Sequence, residues 1–230
     1  MAKRGKKHIN AKQSVDKKNL LSVPEALTQV KTLAYAKFNE SVDVNINLGI
    51  DATKGDQVVR GSVVLPHSIG KAVRVAVFAK GDAATEAQKA GADIVGAEEL
   101  IEKILGGWME FEYTVATPDM MVAIGKLAKV LGPKGLLPNK KLGTVTTDVA
   151  PVIKELKQGK LFFKNDKNGL VHFTIGKLSL DARQLEENFS VFMKTLTSCK
   201  PASSKGKFIR KITVSSTMGV GVSVNPESIS

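Results

Sequence analysis

The sequence predicts two domains of different class: a discontinuous α+β outer domain assembled from both ends of the chain, and an α/β domain inserted into it. Period-two alternation marks strands toward the termini, strands alternate with helices in the middle, and the charge divides along the same lines. Of the 34 basic and 22 acidic residues, 12 and 11 lie between Ser68 and Gly159. The middle is therefore almost neutral, and nearly all of the formal charge of +12 belongs to the ends. The boundaries are placed at 1–67 and 160–230 for the outer domain and 68–159 for the insertion.

Each element follows from local pattern. Ser22-Val-Pro-Glu25 has capping-box spacing, and Ala26, Leu27, Val30, Leu33 and Ala34 recur at helical intervals, which predicts an amphipathic helix over 24–37. Val42, Val44, Ile46, Leu48 and Ile50 then alternate with Asp43, Asn45, Asn47 and Gly49, the pattern of a strand with one wet face. A second strand spans 58–65 and ends at Pro66.

In the insertion, the pattern predicts strands at 73–78, 93–95 and 113–116 and helices at 83–90 and 98–105. A further helix starts at Thr117-Pro118, with proline at its first position, and runs through about Val130. Such alternation implies a parallel, helix-covered sheet, a Rossmann-like three-layer build. Beyond Gly159, KLFFK and LVHFTI flank NDKNG and read as a β-hairpin. A helix over 181–196 gathers Leu185, Phe189, Phe192, Met193 and Leu196 on one side, and strands at 208–215 and 220–224 finish the chain.

The composition favours polyanionic partners, since a pI near 9.7 steers anions and releases counterions on binding. The first eighteen residues hold seven basic side chains against Asp16 alone. Between Glu187 and Glu227 there is no acid, while Lys194, Lys200, Lys205, Lys207, Arg210 and Lys211 accumulate. Joined in one domain, these two zones would act as a single electropositive face. Apolar runs such as 73–79 are broken by Arg74 and fall far short of the ~20 residues of a spanning helix, so no membrane partner is expected. MAKRGKKHIN leads into no apolar segment and does not read as a secretory signal, and a single cysteine, Cys199, forms no intrachain disulfide, which together point to the cytoplasm.

Catalytic chemistry finds no support. A phosphate-binding loop needs Gly-Lys followed by Ser or Thr, but Gly70-Lys71 is followed by alanine, Gly125-Lys126, Gly159-Lys160 and Gly176-Lys177 by leucine, and Gly206-Lys207 by phenylalanine. His8, His67 and His172 are scattered outside any metal-ligand spacing. Cys199 reads as a packed or idle thiol, and Glu98, Glu99 and Glu102 as the wet face of a helix. No enzyme, metal or cofactor is expected.

Six stretches then carry a resemblance: AKFNESVDVNINLGID (36–51), VRGSVVLPHSIGK (59–71), GADIVGAEELIEKILGGWMEF (91–111), LGPKGLLPNKKLGTV (131–145), FFKNDKNGLVH (162–172) and STMGVGVSVNP (216–226). In this order they resemble the bacterial form of large-subunit ribosomal protein one, the family that builds the mobile stalk beside the exit site. The resemblance implies a structural constituent of the large ribosomal subunit whose outer domain binds a folded site in large-subunit ribosomal RNA. It also implies repression of translation through a mimic of that site in the protein's own operon mRNA, help from the inserted domain in releasing deacylated tRNA from the exit site, and a monomer off the ribosome.

By resemblance the contact surface falls on Lys37, Phe38 and Glu40, around His172, and on Thr217, Met218 and Gly219. Phe38 could lie against a ribose or unstacked base, Glu40 could accept from guanine or a 2′-hydroxyl, and the Thr217 hydroxyl could meet the sugar edge. Met218-Gly219 keeps the surface flat for backbone approach, while Lys37, Lys164, Lys167 and Lys205 would neutralise phosphates. Alternatives stay open: Phe38 as a core residue at a helix end, His172 as a packed hairpin residue, and Thr217-Met-Gly as a plain strand connection. The 132–141 loop is either a second basic contact with RNA or a surface loop fixed by Pro and Gly. The competing functions are a nucleotide-dependent enzyme or regulator built on the inserted domain, and a basic protein that binds any polyanion alike.

Overall fold

The computed structural model describes residues 5–16, 19–70, 73–204 and 206–229. Its elements begin with α1 (Lys6–Gln13), α2 (Val23–Leu33), β1 (Ser41–Leu48) and β2 (Arg60–Val64). There follow β3 (Val75–Phe78), α3 (Asp82–Lys89), β4 (Ile94–Gly96), α4 (Glu98–Leu105), β5 (Tyr113–Ala116), α5 (Met121–Ile124), α6 (Ala128–Leu131) and α7 (Val149–Lys157). The chain ends with β6 (Lys160–Lys164), β7 (Leu170–Lys177), α8 (Ala182–Ser198), β8 (Ile209–Ser216) and β9 (Val222–Val224). These elements form two units, one from 1–70 with 162–230 and the other from 71–161. The fold class is thus the two-domain α+β and α/β arrangement expected.

In the discontinuous unit, β1 is central. Its order is β7-β1-β8-β9, all antiparallel, and alternation puts Val42, Val44, Ile46 and Leu48 on the buried face. On that face α8 presents Leu185, Phe189, Phe192, Met193 and Leu196, all buried, and α2 presents Ala26, Leu27 and Val30. Phe173 stacks on Phe192 at 4.0 Å between ring centroids, and Phe163 meets Phe192 edge-on at 5.5 Å. Both helices open on capping boxes: the Ser22 amide donates to Glu25 Oε2 at 3.0 Å, and the Asp181 amide to Gln184 Oε1 at 3.0 Å.

A polar residue sits in this core with reason. Asn188 is fully buried on α8; its side-chain amide donates to the carbonyls of Ile175 (2.7 Å) and His67 (3.0 Å), and its oxygen accepts from the His67 amide (3.0 Å). It closes off backbone groups that β7 and the segment after β2 would otherwise bury unpaired. Asn188→Ala is expected to cost about 2 kcal/mol of unfolding free energy, read from a denaturant midpoint at unchanged slope.

The inserted unit holds a parallel sheet of order β4-β3-β5. Ala76, Phe78 and Ala116 share one face with Leu100, Ile101 and Ile104 of α4 and with Ile124, Leu127 and Leu131. The alternate residues Val75, Val77 and Val115 point to the other face, which α3 and α7 cover. This gives the three layers expected.

Three local expectations need correction. The helix predicted over 24–37 stops at Leu33, because Ala34 turns extended and the next residues bind elsewhere. The helix predicted over 117–130 is divided into α5 and α6, with 3₁₀ turns at Pro118–Met120 and Gly125–Leu127; Gly125 lowers helical persistence there. KLFFK and LVHFTI do not form an extended hairpin: β6 pairs with β2 in a separate two-stranded sheet, and the turn to β7 is closed by the isolated Asn165–Val171 bridge and the Asp166 amide on the Leu170 carbonyl. Asn165 is turned the other way by Val59, whose amide donates to Asn165 Oδ1 at 2.8 Å. Helices α1 and α7 were not anticipated, although Val149, Ile153 and Leu156 have the i, i+4, i+7 spacing that would have found α7.

Candidate nucleic-acid interface

Two loops meet at the end of the four-stranded sheet where β1 begins. One is 34–40, between α2 and β1, and the other is the turn Ser216–Gly219 after β8, closed by the Gly219 amide on the Ser216 carbonyl at 3.2 Å. They are tied by reciprocal bonds: the Thr217 amide donates to the Ser41 carbonyl (3.1 Å), and the Ser41 amide to Thr217 Oγ1 (3.0 Å). Tyr35 adds a third tie, its hydroxyl donating to the Met218 carbonyl at 2.5 Å.

Glu40 is the centre of this junction. It is 1% exposed; Oε1 accepts from the Ala36 amide at 3.1 Å and Oε2 from the Met218 amide at 2.9 Å. Burial pushes the carboxyl up, but the hydrogen bonds donated by the Met218 and Ala36 amides, among others, outweigh it and hold the group below the ordinary glutamate range. The carboxylate expected to accept from guanine or a 2′-hydroxyl is therefore already committed to protein amides; Glu40 braces both loops. Thr217 differs from Glu40: its side chain is exposed, while its hydroxyl is also engaged with the Ser41 backbone.

What the brace presents outward is apolar. Phe38 is 55% exposed and Met218 51% exposed, on the two loops that Glu40 joins. This removes the core reading of Phe38, since a buried phenylalanine would contribute about 1.5–3 kcal/mol of burial that this one forgoes. Lys37 beside it is exposed. At Gly219 a Cβ would lie 2.4 Å from Ser216 Oγ, so a side chain there would have to displace that hydroxyl.

Lys164, Lys167 and His172 are not part of this cluster. β7 runs antiparallel to β1, with Lys177 opposite Ser41 and Leu170 opposite Asn47, so the turn carrying Lys167 lies at the far end of the sheet. Lys164 flanks the same end, next to bridged Asn165. At about 3.3 Å per residue, β1 separates the two ends by roughly 20 Å. His172 lies between them, exposed and not packed, its Nδ1 2.6 Å from Asn45 Oδ1. Lys205 lies outside the described residues.

Between the ends runs a polar face of which the expected site residues included only His172. Asn45 is flanked by His172 and Thr213, and Asp43 by Thr174 and Ser215, with Lys211 beside Asn47. The alternation of β1 signalled a wet face; only the strand pairing names its neighbours. Thr174 Oγ1 donates to Asp43 Oδ1 at 2.5 Å, so the face is held by its own hydrogen bonds. The whole offers an apolar platform, a hydroxyl- and amide-rich sheet and a cationic end. That set suits a polyanion carrying planar bases and hydroxyls. Among the described residues, no group of three or more His, Cys, Asp or Glu could hold a metal ion, and no helix is long and apolar enough to cross a membrane.

Comparison with known proteins agrees with this chemistry. Residues 30–220 match the model of the ribosomal protein L1p/L10e family. The chain is also similar to the large ribosomal subunit protein uL1 of Desulfotalea psychrophila, at 52% identity over 226 residues that cover 98% of this chain and 96% of the relative.

Proposed function

The chain belongs to the L1p/L10e family of ribosomal proteins, and from that premise we propose that its discontinuous unit binds a folded site in large-subunit ribosomal RNA through the surface described above. It is a structural protein of the large subunit and not an enzyme, and its place is the cytoplasmic ribosome. The observation that carries the binding reading is the pair of half-exposed apolar side chains, Phe38 and Met218, fixed by the buried Glu40 carboxylate. Phe38 supplies a face for a base or ribose, the polar row from Asn45 to Thr213 addresses 2′-hydroxyls, and Lys37, Lys164 and Lys167 neutralise phosphates. Lys205 joins this cationic set on charge alone.

Two further roles follow from the same reading. A messenger segment that copies the ribosomal site would occupy the same surface, so the protein would repress translation of its own operon. The inserted unit would engage deacylated tRNA at the exit site through Lys126, Lys129, Lys134, Lys140 and Lys141, all exposed. Off the ribosome the protein would be a monomer.

The test is a salt titration of binding to a large-subunit stalk RNA fragment, with a scrambled RNA of equal length in competition. A preference for the stalk fragment that persists at raised salt is expected, because hydrogen bonding and stacking are screened far less than phosphate contacts. Equal and equally salt-sensitive loss for both RNAs would leave only a general polyanion binder.

A further inference from the structure

Helix α1 has almost no core of its own. Within it only Ala11 is buried, joined just beyond its end by Val15, while Lys6, Lys7 and Lys12 are exposed. It contains no acidic residue. Two of the lysines occupy the first turn, where positive charge opposes the helix dipole, and their mutual repulsion adds to the cost. Isolated helices of eight residues are marginal, so this one is not there for its own stability.

Its position is informative. His8 Nδ1 lies 3.5 Å from the Tyr35 hydroxyl, and that same hydroxyl donates to the Met218 carbonyl at 2.5 Å. The first turn of α1 is thereby set beside the turn that displays Met218. We infer that α1 is a second, purely electrostatic arm of the RNA surface: Lys6, Lys7 and Lys12 contact phosphates that flank the segment held by Phe38 and Met218. A bound polyanion removes both the dipole penalty and the repulsion, so RNA stabilises the helix that contacts it. The arm adds affinity and salt dependence, and it adds no sequence preference.

This inference rests on the RNA-binding reading above, and its experiment separates the two. Binding of the stalk RNA fragment is followed against salt for the full chain, for the triple variant Lys6→Ala, Lys7→Ala, Lys12→Ala, and for the matching triple arginine variant. Alanine raises helix propensity and the three positions are exposed, so the variant keeps its fold. Losing three phosphate contacts should flatten the slope of log K against log salt by about 2 to 3, with preference over scrambled RNA unchanged, while the arginine variant keeps the original slope. A second triple, Lys89→Ala, Lys103→Ala, Lys154→Ala, removes equal charge from exposed positions of the inserted unit and should leave the slope alone. An unchanged slope in the α1 variant, or equal flattening in both alanine triples, overturns the arm while the preference for the stalk fragment stands. Loss of that preference in the unaltered chain overturns both readings.

Discussion

Phe38→Ala is expected to weaken binding of the stalk RNA fragment roughly 10- to 100-fold at fixed salt while leaving binding of scrambled RNA nearly unchanged. Stacking of a base or ribose on an aromatic ring contributes about 1–3 kcal/mol by alanine substitution, and each 1.4 kcal/mol is about tenfold in affinity. The phenyl ring is more than half exposed, so its removal opens no cavity and should leave the unfolding midpoint within about 0.5 kcal/mol of the unaltered chain. Separation of the two effects is what makes the result informative. A residue that acted by holding the loop would lower stability along with binding, and one that acted through charge would lower both RNAs together. Phe38→Trp should retain most of the affinity, because the requirement is a flat apolar face and not a particular shape. Equal losses for the two RNAs with Phe38→Ala would sink the site.

The legible part of this protein is what depends on short-range pattern. The alternation from Val42 to Ile50 gave β1 and its wet face, a capping box gave α2, the apolar side from Leu185 to Leu196 gave α8, and the alternation of strands with helices in the middle of the chain gave the α/β class of the insertion. What escaped depends on partners distant in sequence. Nothing near Glu40 indicates burial: it stands among Lys37, Asn39 and Ser41, and its decisive partner, the Met218 amide, is 178 residues away. The end of α2 was misjudged for the same reason, since Ala34 and Tyr35 satisfy helical periodicity but are claimed by the loop junction. NDKNG is a good hairpin turn locally, yet the pairing of β6 goes to β2 because Asn165 bonds Val59, 106 residues away. Phe38 and Met218 were reached through a resemblance and through their chemistry. Their common exposure on two joined loops required the fold.

Glu40→Gln separates bracing from reading most sharply. The substitution keeps shape and removes the charge, and it forces an NH₂ group to face a backbone amide that needs an acceptor, either Ala36 or Met218. Leaving a buried amide opposite a donor, and losing charge-assisted bonds, should cost about 3 kcal/mol of stability and release the Met218 turn from the 34–40 loop. Binding of the stalk fragment should then fall at least as far as in Phe38→Ala, roughly 100-fold, although no side chain that faces RNA has changed. The pH dependence provides the discriminating sign. The folded carboxyl titrates below the unfolded one, so the unfolded chain takes up its proton first as pH falls. Glu40 therefore contributes stability that is complete above the ordinary glutamate range, near pH 4.3 and higher, and is lost as pH drops through the lowered folded value. The glutamine variant has no such proton to take up. Its deficit relative to the unaltered chain should be largest at neutral pH and should shrink on acidification below about pH 4, measured by denaturant unfolding across that interval. A deficit constant across that range would mean that the carboxylate charge contributes nothing to the junction, and a loss of RNA binding without any loss of stability would return Glu40 to direct contact with RNA.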